Sequence, residues 1–412
     1  KNINQVRQDK VEAFKQSSGL YEDKELNKIC NKAIRENRIY FTNNIKKIEK
    51  SKIIIVCINF DFKKKKLSQL KKLKFFFSNL AKFMKKKSMI LIETTLPPGT
   101  CDKIIIPTIK KSLSKRKIKI SDIFFSYAFE RVMPGKFYLK SITENYKCYA
   151  GKDKISGERC KKFLQKYINY KKFPLYQFDK ILDCEAAKIL ENSYRAINIA
   201  FIDEWTKFSF ENNIKLNRII DAIKLRNSHN NIMRPGLGVG GYCLTKDPDF
   251  INFSANNIFK KKTIFPITNS SIKINKNMIF SSIKFIKNKI KNLKNKKILI
   301  LGAAYKDNVS DTRESPSIIL SKEFKKKKIQ YVLHDPITSD SENETHGITK
   351  QLPAFEKFDV VLFCVKHNYY KKISFKKFSK KPIYFDLNCV LDKRQINHLL
   401  RYNHKIEVLG GH

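Results

Sequence analysis

Apolar and polar residues along the chain follow two different rhythms. Short apolar runs at 53–58, 89–93, 123–127, 297–302, 332–335, 360–365 and 383–386 read as buried strands. Residues 67–84 lie between the first two runs. They place Leu70, Leu73, Phe77, Leu80 and Met84 on one stripe, which predicts an amphipathic helix. Strands alternating with helices imply mostly parallel sheets, whose ligands sit at the carboxyl ends of the strands. Residues 180–230 contain neither Gly nor Pro and repeat apolar side chains at Ala186, Ile189, Leu190, Ile197, Phe201 and Trp205, the pattern of a long helix or helix pair. Lys188 and Asn192, four apart, project from one face of it. The lysine-rich stretch 276–295 predicts a helix leading into the last α/β segment.

At 412 residues the chain holds more than one core. The pattern divides it into α/β segments at 1–175 and 276–412 around a helical middle at 176–275. The longest apolar run, 53–58, is too short to cross a bilayer, so no membrane insertion is expected. The first residue is Lys1, from which a missing N-terminus is expected. Nine cysteines, scattered and without a Cys-x-x-Cys pair, argue against a disulfide framework or a metal centre and for a reducing, cytoplasmic setting. The net charge of +47 suggests polyanions, but the lysines form runs such as 63–66, 85–87 and 325–328 that read as solvated faces. Specific nucleic-acid binding is therefore not expected.

The densest chemistry lies in Arg234-Pro-Gly-Leu-Gly-Val-Gly-Gly-Tyr-Cys-Leu-Thr-Lys-Asp-Pro248, where four of the 13 glycines precede one thiol, Cys243, and one carboxylate, Asp247. Clustered glycines let a backbone approach a ligand closely, and a thiol directly after them is placed to act on what the loop holds.

Four further segments join this one in order: Glu93-Thr-Thr-Leu-Pro-Pro-Gly-Thr100, Glu130-Arg-Val-Met-Pro-Gly135, Lys188-Ile-Leu-Glu-Asn-Ser-Tyr-Arg195, and Leu301-Gly-Ala-Ala-Tyr-Lys306 with Asp311-Thr-Arg-Glu-Ser-Pro316. On these motifs the chain resembles the UDP-glucose/GDP-mannose dehydrogenases along nearly its whole length. The resemblance implies an α/β fold with two Rossmann-like, doubly wound domains joined by a central helical domain: an NAD-binding domain at 1–175, a central domain at 176–275 carrying catalytic residues, and a UDP-sugar-binding domain at 276–412. It implies four-electron oxidation of the C6 hydroxyl of a UDP-hexose by two NAD, feeding surface polysaccharide synthesis, in a homodimer formed through the central helices. Glu130-Arg-Val-Met-Pro-Gly135 looks more like the N-acetylhexosamine members than the UDP-glucose ones.

By the same resemblance Cys243 is the nucleophile that captures the intermediate aldehyde as a thiohemiacetal and then a thioester. Glu130 and Asp247 are the candidates for activating the hydrolytic water, Glu130 as general base. Lys188 stabilises oxyanion charge with Asn192 beside it, and Thr95 lies near the nicotinamide or the water. Asn59, Thr94, Thr95 and Arg313 are implied cofactor contacts. Glu130, Arg131, Val132, Met133, Lys188, Asn192, Arg226, Gly236, Gly238, Gly240 and Lys306 are implied substrate contacts.

The chain also departs from the family. Only Gly19 precedes position 99, so the Gly-x-Gly-x-x-Gly loop that cradles a dinucleotide pyrophosphate is absent. A chain lacking its first strand, glycine loop and helix is the simplest expectation, with Asn2 near the usual ribose-binding position. Phe129 replaces a frequent proline, and Asn59-Phe-Asp61 a threonine-proline pair. These departures motivate a second reading, a non-catalytic sugar-nucleotide-binding protein with a defective NAD site.

Overall fold

The computed structural model describes residues 23–60, 66–133, 135–375 and 380–411. Asn2, Gly19, Asp61 and Pro134, which figured in the motifs above, lie outside the described residues. The chain separates into two compact units: residues up to Glu191 with Phe250–Ile264, and Asn192–Asp249 with residues from Phe265 on.

In the first unit five strands, β1 (Ile53–Val56), β2 (Met89–Ile92), β3 (Phe124–Tyr127), β4 (Lys147–Gly151) and β5 (Leu175–Phe178), lie side by side in chain order. β1, β2 and β3 are parallel, β4 runs antiparallel to β3, and β5 is parallel to β4. Helices α1 (Lys66–Phe83), α2 (Ile106–Ser114) and α3 (Lys154–Leu164) belong to this unit. The stripe foreseen on α1 is real: Leu73, Phe77, Leu80 and Met84 are buried with Ile90, Ile92, Phe125 and Tyr127 in one core. The first strand is shorter and less enclosed than its composition suggested. It ends at Val56, and Ile53 and Ile55 are 37% and 46% exposed. It lies at the edge of the described sheet, where alternate side chains face outward.

The Gly- and Pro-free segment forms two helices, α4 (Ile181–Glu211) and α5 (Leu216–Ile223). α4 gives Ile181, Cys184 and Ile189 to the core of the first unit, and its later part belongs to the second. Its apolar positions split between two faces. Leu190, Tyr194, Phe201, Trp205 and Phe208 share one side of the helix at helical spacing, and all are between 43% and 71% exposed.

The second unit is built on a six-stranded, all-parallel sheet of β6 (Lys297–Leu301), β7 (Gln330–His334), β8 (Ile348–Thr349), β9 (Val360–Phe363), β10 (Ile383–Asp386) and β11 (Ile406–Val408). The spatial order is β11-β10-β9-β6-β7-β8. This is the doubly wound arrangement, with its switch point between β6 and β9. Gly302 follows β6 at φ +100°, and an added Cβ there would meet Val365 beyond β9 at 2.4 Å. α6 (Pro266–Lys289) leads into this sheet, starting ten residues earlier than its lysine-rich part suggested, with proline at its first turn. α7 (Pro316–Lys326) and α8 (Lys393–Arg401) complete the unit.

The α/β class, with a doubly wound sheet and a helical middle, agrees with the sequence pattern. Among the described residues no helix is long and apolar enough to cross a membrane, and no cluster of three or more His, Cys, Asp or Glu could hold a metal ion.

Candidate functional site

The first unit gathers charge at the carboxyl ends of its parallel strands. Glu93 follows β2 directly, and its N–H donates to the Val56 carbonyl of β1. Glu130 lies three residues beyond β3. Lys147 opens β4, and its Nζ reaches Glu93 Oε1 at 3.0 Å and Glu130 Oε2 at 2.5 Å. Burial opposes the charge on Lys147, which is 4% exposed, but the two carboxylates outweigh it and hold the ammonium above the ordinary lysine value. Cys57 Sγ and the Tyr167 hydroxyl both donate to Glu93, at 3.4 and 3.5 Å.

Arg131 does not pair with the Glu130 carboxylate through its guanidinium. Nε and Nη2 fork onto Glu191, and only its backbone N–H donates to Glu130 Oε1. The Phe129 ring is fully buried and carries two cations, Arg131 at 4.6 Å and the Lys188 Nζ at 5.4 Å from its centroid. Lys188 is 7% exposed, and its ammonium has neither a hydrogen bond nor an ion pair among the described residues. A buried ammonium without a counter-charge is costly unless something anionic meets it.

The turn after β2 is tied down from several sides. Thr94 is buried and donates to the Ile58 carbonyl at 2.9 Å, so its hydroxyl fixes the turn. Thr95 beside it is half-buried, with a hydroxyl that bonds to none of the described residues. Glu185 on α4 accepts from the Gly99 and Cys101 N–H groups at 2.6 and 2.9 Å. Burial pushes the Glu185 carboxyl up to about 8 against these donors, which favour the charged form. A carboxyl raised on folding binds more protons in the folded state, so its contribution to stability is lost as pH rises from about 4.5 to about 8. Glu185→Gln removes that titration. Its melting temperature relative to wild type is expected to improve across this window by the equivalent of a few kcal/mol, since each tenfold change in proton affinity is worth about 1.4 kcal/mol. A pH-independent difference between the two melting curves would refute this assignment.

In the second unit Asp247 is fully buried and doubly held. Asn192 Nδ2 donates to Oδ2 at 2.7 Å, and Lys246 Nζ meets Oδ1 at 2.5 Å. The N–H groups of Lys246 and Asp247 both donate to the Cys243 carbonyl, so one tight turn joins the thiol to the carboxylate. Cys243 itself is exposed. The glycines before it serve close packing. Gly241 has φ +80°, an added Cβ would meet the Tyr305 ring at 2.7 Å, and its N–H donates to the Arg313 carbonyl. At Gly240 the obstacles are the Glu314 carbonyl, Pro316 and Tyr305, each at 2.9 Å. Gly238 faces Pro316, and Gly236 faces Asn388.

Arg313 forks onto Asp311 with Nε and Nη2 at 3.0 and 2.6 Å, which holds its guanidinium above the usual range. It lies 5.6 Å from the Tyr242 ring centroid, whose ring also carries Lys246 at 4.5 Å. Thus the arginine expected at the cofactor is engaged beside the cysteine loop. Arg226 is exposed just before the turn Asn227–His229, Lys306 is half-buried after β6, and Asn59 is exposed after β1. Val132 is half-buried, and Met133, 53% exposed, donates its N–H to Ser141.

The structure therefore brings Asn192, Asp247 and Cys243 together in one unit, and Glu130, Phe129, Arg131 and Lys188 in the other. It adds Lys147, Lys246 and Glu185. Lys246 was signalled by its place beside Asp247; Lys147 had no signal apart from the general lysine background.

Comparison with known proteins extends these observations. Residues 3–167, 183–277 and 299–393 match the NAD binding, central and UDP binding domain models of the UDP-glucose/GDP-mannose dehydrogenase family. The chain is 32% identical over 341 residues to a UDP-N-acetyl-D-mannosamine dehydrogenase of Methanococcus vannielii, covering 81% of this chain and 73% of that one. With the protein of the same name from Methanocaldococcus jannaschii it shares 30% over 377 residues, 89% and 80% of the two chains. In fold it is similar to a UDP-D-ManNAc dehydrogenase of Pyrococcus horikoshii, with a TM-score of 0.79 at 20% identity over 98% of this chain and 92% of that one.

Proposed function

The chain belongs to the UDP-glucose/GDP-mannose dehydrogenase family and is an NAD-dependent nucleotide-sugar dehydrogenase, and from that premise we propose that it oxidises the C6 hydroxyl of a UDP-N-acetylhexosamine to the carboxylate, UDP-N-acetylmannosamine first among them. The observation that carries the covalent route is the turn at 243–247, which presents an exposed thiol and anchors a fully buried aspartate one helical turn later. The substrate assignment rests on the names of the relatives.

The residues at the carboxyl ends of β1 and β2 fit a nicotinamide. Thr95 offers an unspent, half-buried hydroxyl, and Asn59 is exposed beyond β1. Held there, NAD would supply the hydride acceptor for both oxidations at C6. The remaining work belongs to side chains. Cys243 loses its proton and bonds to the aldehyde carbon, which keeps the intermediate on the protein. The Lys188 ammonium, without a carboxylate of its own, has the charge to stabilise the oxygen on which negative charge develops. Glu130 removes a proton from the water that cleaves the thioester, releasing the carboxylate and the thiol. Asn192 and Lys246 keep the Asp247 carboxylate in one orientation behind the cysteine turn. Arg226, Lys306 and the backbone of the 236–241 loop bind the nucleotide sugar, with Arg131, Val132 and Met133 beside Glu130. Arg313, positioned by Asp311, binds an anionic group.

The test is NADH formed per sugar, measured side by side with UDP-N-acetylmannosamine, UDP-N-acetylglucosamine, UDP-glucose and GDP-mannose. Two NADH per UDP-N-acetylmannosamine supports the proposal. Two from another substrate corrects the sugar, and none from any, with UDP-sugar binding intact, favours a binding protein.

The exposed face of Tyr194, Phe201, Trp205 and Phe208 on α4 supports a homodimer through this helix. Two of its edge-to-face contacts, Phe201–Trp205 and Trp205–Phe208, pre-order the rings. Trp205→Glu is expected to halve the sedimenting mass; an unchanged mass would place the interface elsewhere.

A further inference from the structure

Lys147 is a buried cation that the reaction above leaves unused. It opens the strand antiparallel to β3, and its Nζ lies within 3.0 Å of carboxylate oxygens from two other segments, Glu93 after β2 and Glu130 after β3. Its side chain is 5% exposed, and those of Glu93 and Glu130 are 12% and 23% exposed. The more exposed end of this triad is thus Glu130. Glu93, further inside, also takes hydrogen bonds from Cys57 and Tyr167. Glu130 is held at both oxygens, Oε2 by Lys147 and Oε1 by the Arg131 N–H.

From this geometry we propose that Lys147 is a positioning residue for Glu130: its ammonium fixes the carboxylate through Oε2 and offsets the like charge of Glu93 beside it. The inference rests on the reading of Glu130 as the base of thioester hydrolysis. The reasoning is electrostatic. Two carboxylates that share one ammonium repel each other once it is gone, and a carboxylate losing a cation and keeping a like charge holds its proton to higher pH. The titratable groups facing Glu130 are Lys147 on β4, Glu93 after β2, Tyr138 in the helix Tyr138–Thr143, Tyr167 after α3 and Cys57 after β1. Lys147 is the cation among them, and it bonds to the carboxylate directly, whereas Lys188 and the Arg131 guanidinium lie on the neighbouring Phe129 ring. The Arg131 guanidinium is committed to Glu191 and Tyr146.

The experiment compares Lys147→Met, Lys147→Arg, Glu93→Gln, Glu130→Gln and the Lys147→Met/Glu130→Gln double variant in the full chain. Initial rates are followed against pH, with a stopped-flow count of NADH per site in the first turnover. Lys147→Met is expected to lower kcat about 10–100-fold, a fraction of the roughly 10²–10⁴ that a general base contributes. KM for the nucleotide sugar should change little, and the acid limb of the kcat profile should move to higher pH. Lys147→Arg keeps the charge and restores most of the rate. Glu93→Gln removes the competing carboxylate and moves the acid limb the other way. In the double variant the Lys147 effect vanishes, because residues acting through one group are not additive.

A normal rate and an unmoved profile in Lys147→Met, with Glu130→Gln inactive, would overturn the proposal while leaving the base intact. So would an additive loss in the double variant. Normal hydrolysis by Glu130→Gln would instead remove the base itself. If Lys147→Met does not fold, Lys147→Arg, expected to keep the wild-type profile, and Glu93→Gln, expected to move the acid limb to lower pH, remain measurable, and identical profiles for the two would refute the proposal.

Discussion

Cys243→Ala is expected to abolish carboxylate formation, lowering it by about 10³-fold or more, the scale on which enzymes lose activity with their nucleophile. The thiol is exposed, so alanine there removes no core packing, and the turn it occupies is held by backbone groups that alanine keeps. Folding should therefore be preserved, which makes the loss chemical. Without the thiol an aldehyde has no covalent anchor, and at most one NADH per sugar would be released, with free aldehyde trapped by hydroxylamine. Two NADH per sugar at a normal rate from this variant would rule out the thioester route.

The largest effect on stability is expected from Asp247→Ala. Asp247 and Lys246 are 0% and 5% exposed and in contact. Removing the carboxylate takes the counter-charge from a buried ammonium and this acceptor from the Asn192 amide, a loss of about 3–5 kcal/mol for a broken buried pair. The decisive comparison is Lys246→Met/Asp247→Leu. Replacing both charges by apolar groups of similar size removes the buried cation as well, and the double variant should regain most of the lost stability in urea unfolding. It should stay inactive, since the polar framework behind the cysteine turn is gone. A single variant within about 1 kcal/mol of wild type would mean that Lys246 escapes to water.

Much of this architecture was legible from periodicity. The strands with several consecutive branched side chains, such as 297–301 and 360–363, read directly because both faces are covered and nearly every position is apolar. β4 and β5 did not read: Lys147-Cys-Tyr-Ala-Gly151 opens with a lysine, and Leu175–Phe178 exposes both middle residues, Tyr176 and Gln177, so it shows no alternation. The site divides in the same way. Cys243, Asp247 and Asn192 stand in glycine-rich or helical motifs with few competing explanations. Lys147 stood among 85 basic residues, and only burial separates a lysine that holds a carboxylate from one that covers a surface. Glu185 was invisible for another reason. Its partners are backbone N–H groups more than eighty positions away, and no local pattern announces such a bond.

The packing of the cysteine loop also limits how this protein can change over generations. At Gly240 and Gly241 any side chain would collide with Tyr305, Glu314 or Pro316, and Gly241 holds a left-handed backbone as well. Leu237 is committed to the core. The mutational neighbourhood of the loop therefore narrows to Val239 and Tyr242, both only partly buried. A lineage adapting to a differently shaped sugar through this loop has those two side chains to vary, and divergence there, against stasis at the glycines, is the record such adaptation would leave.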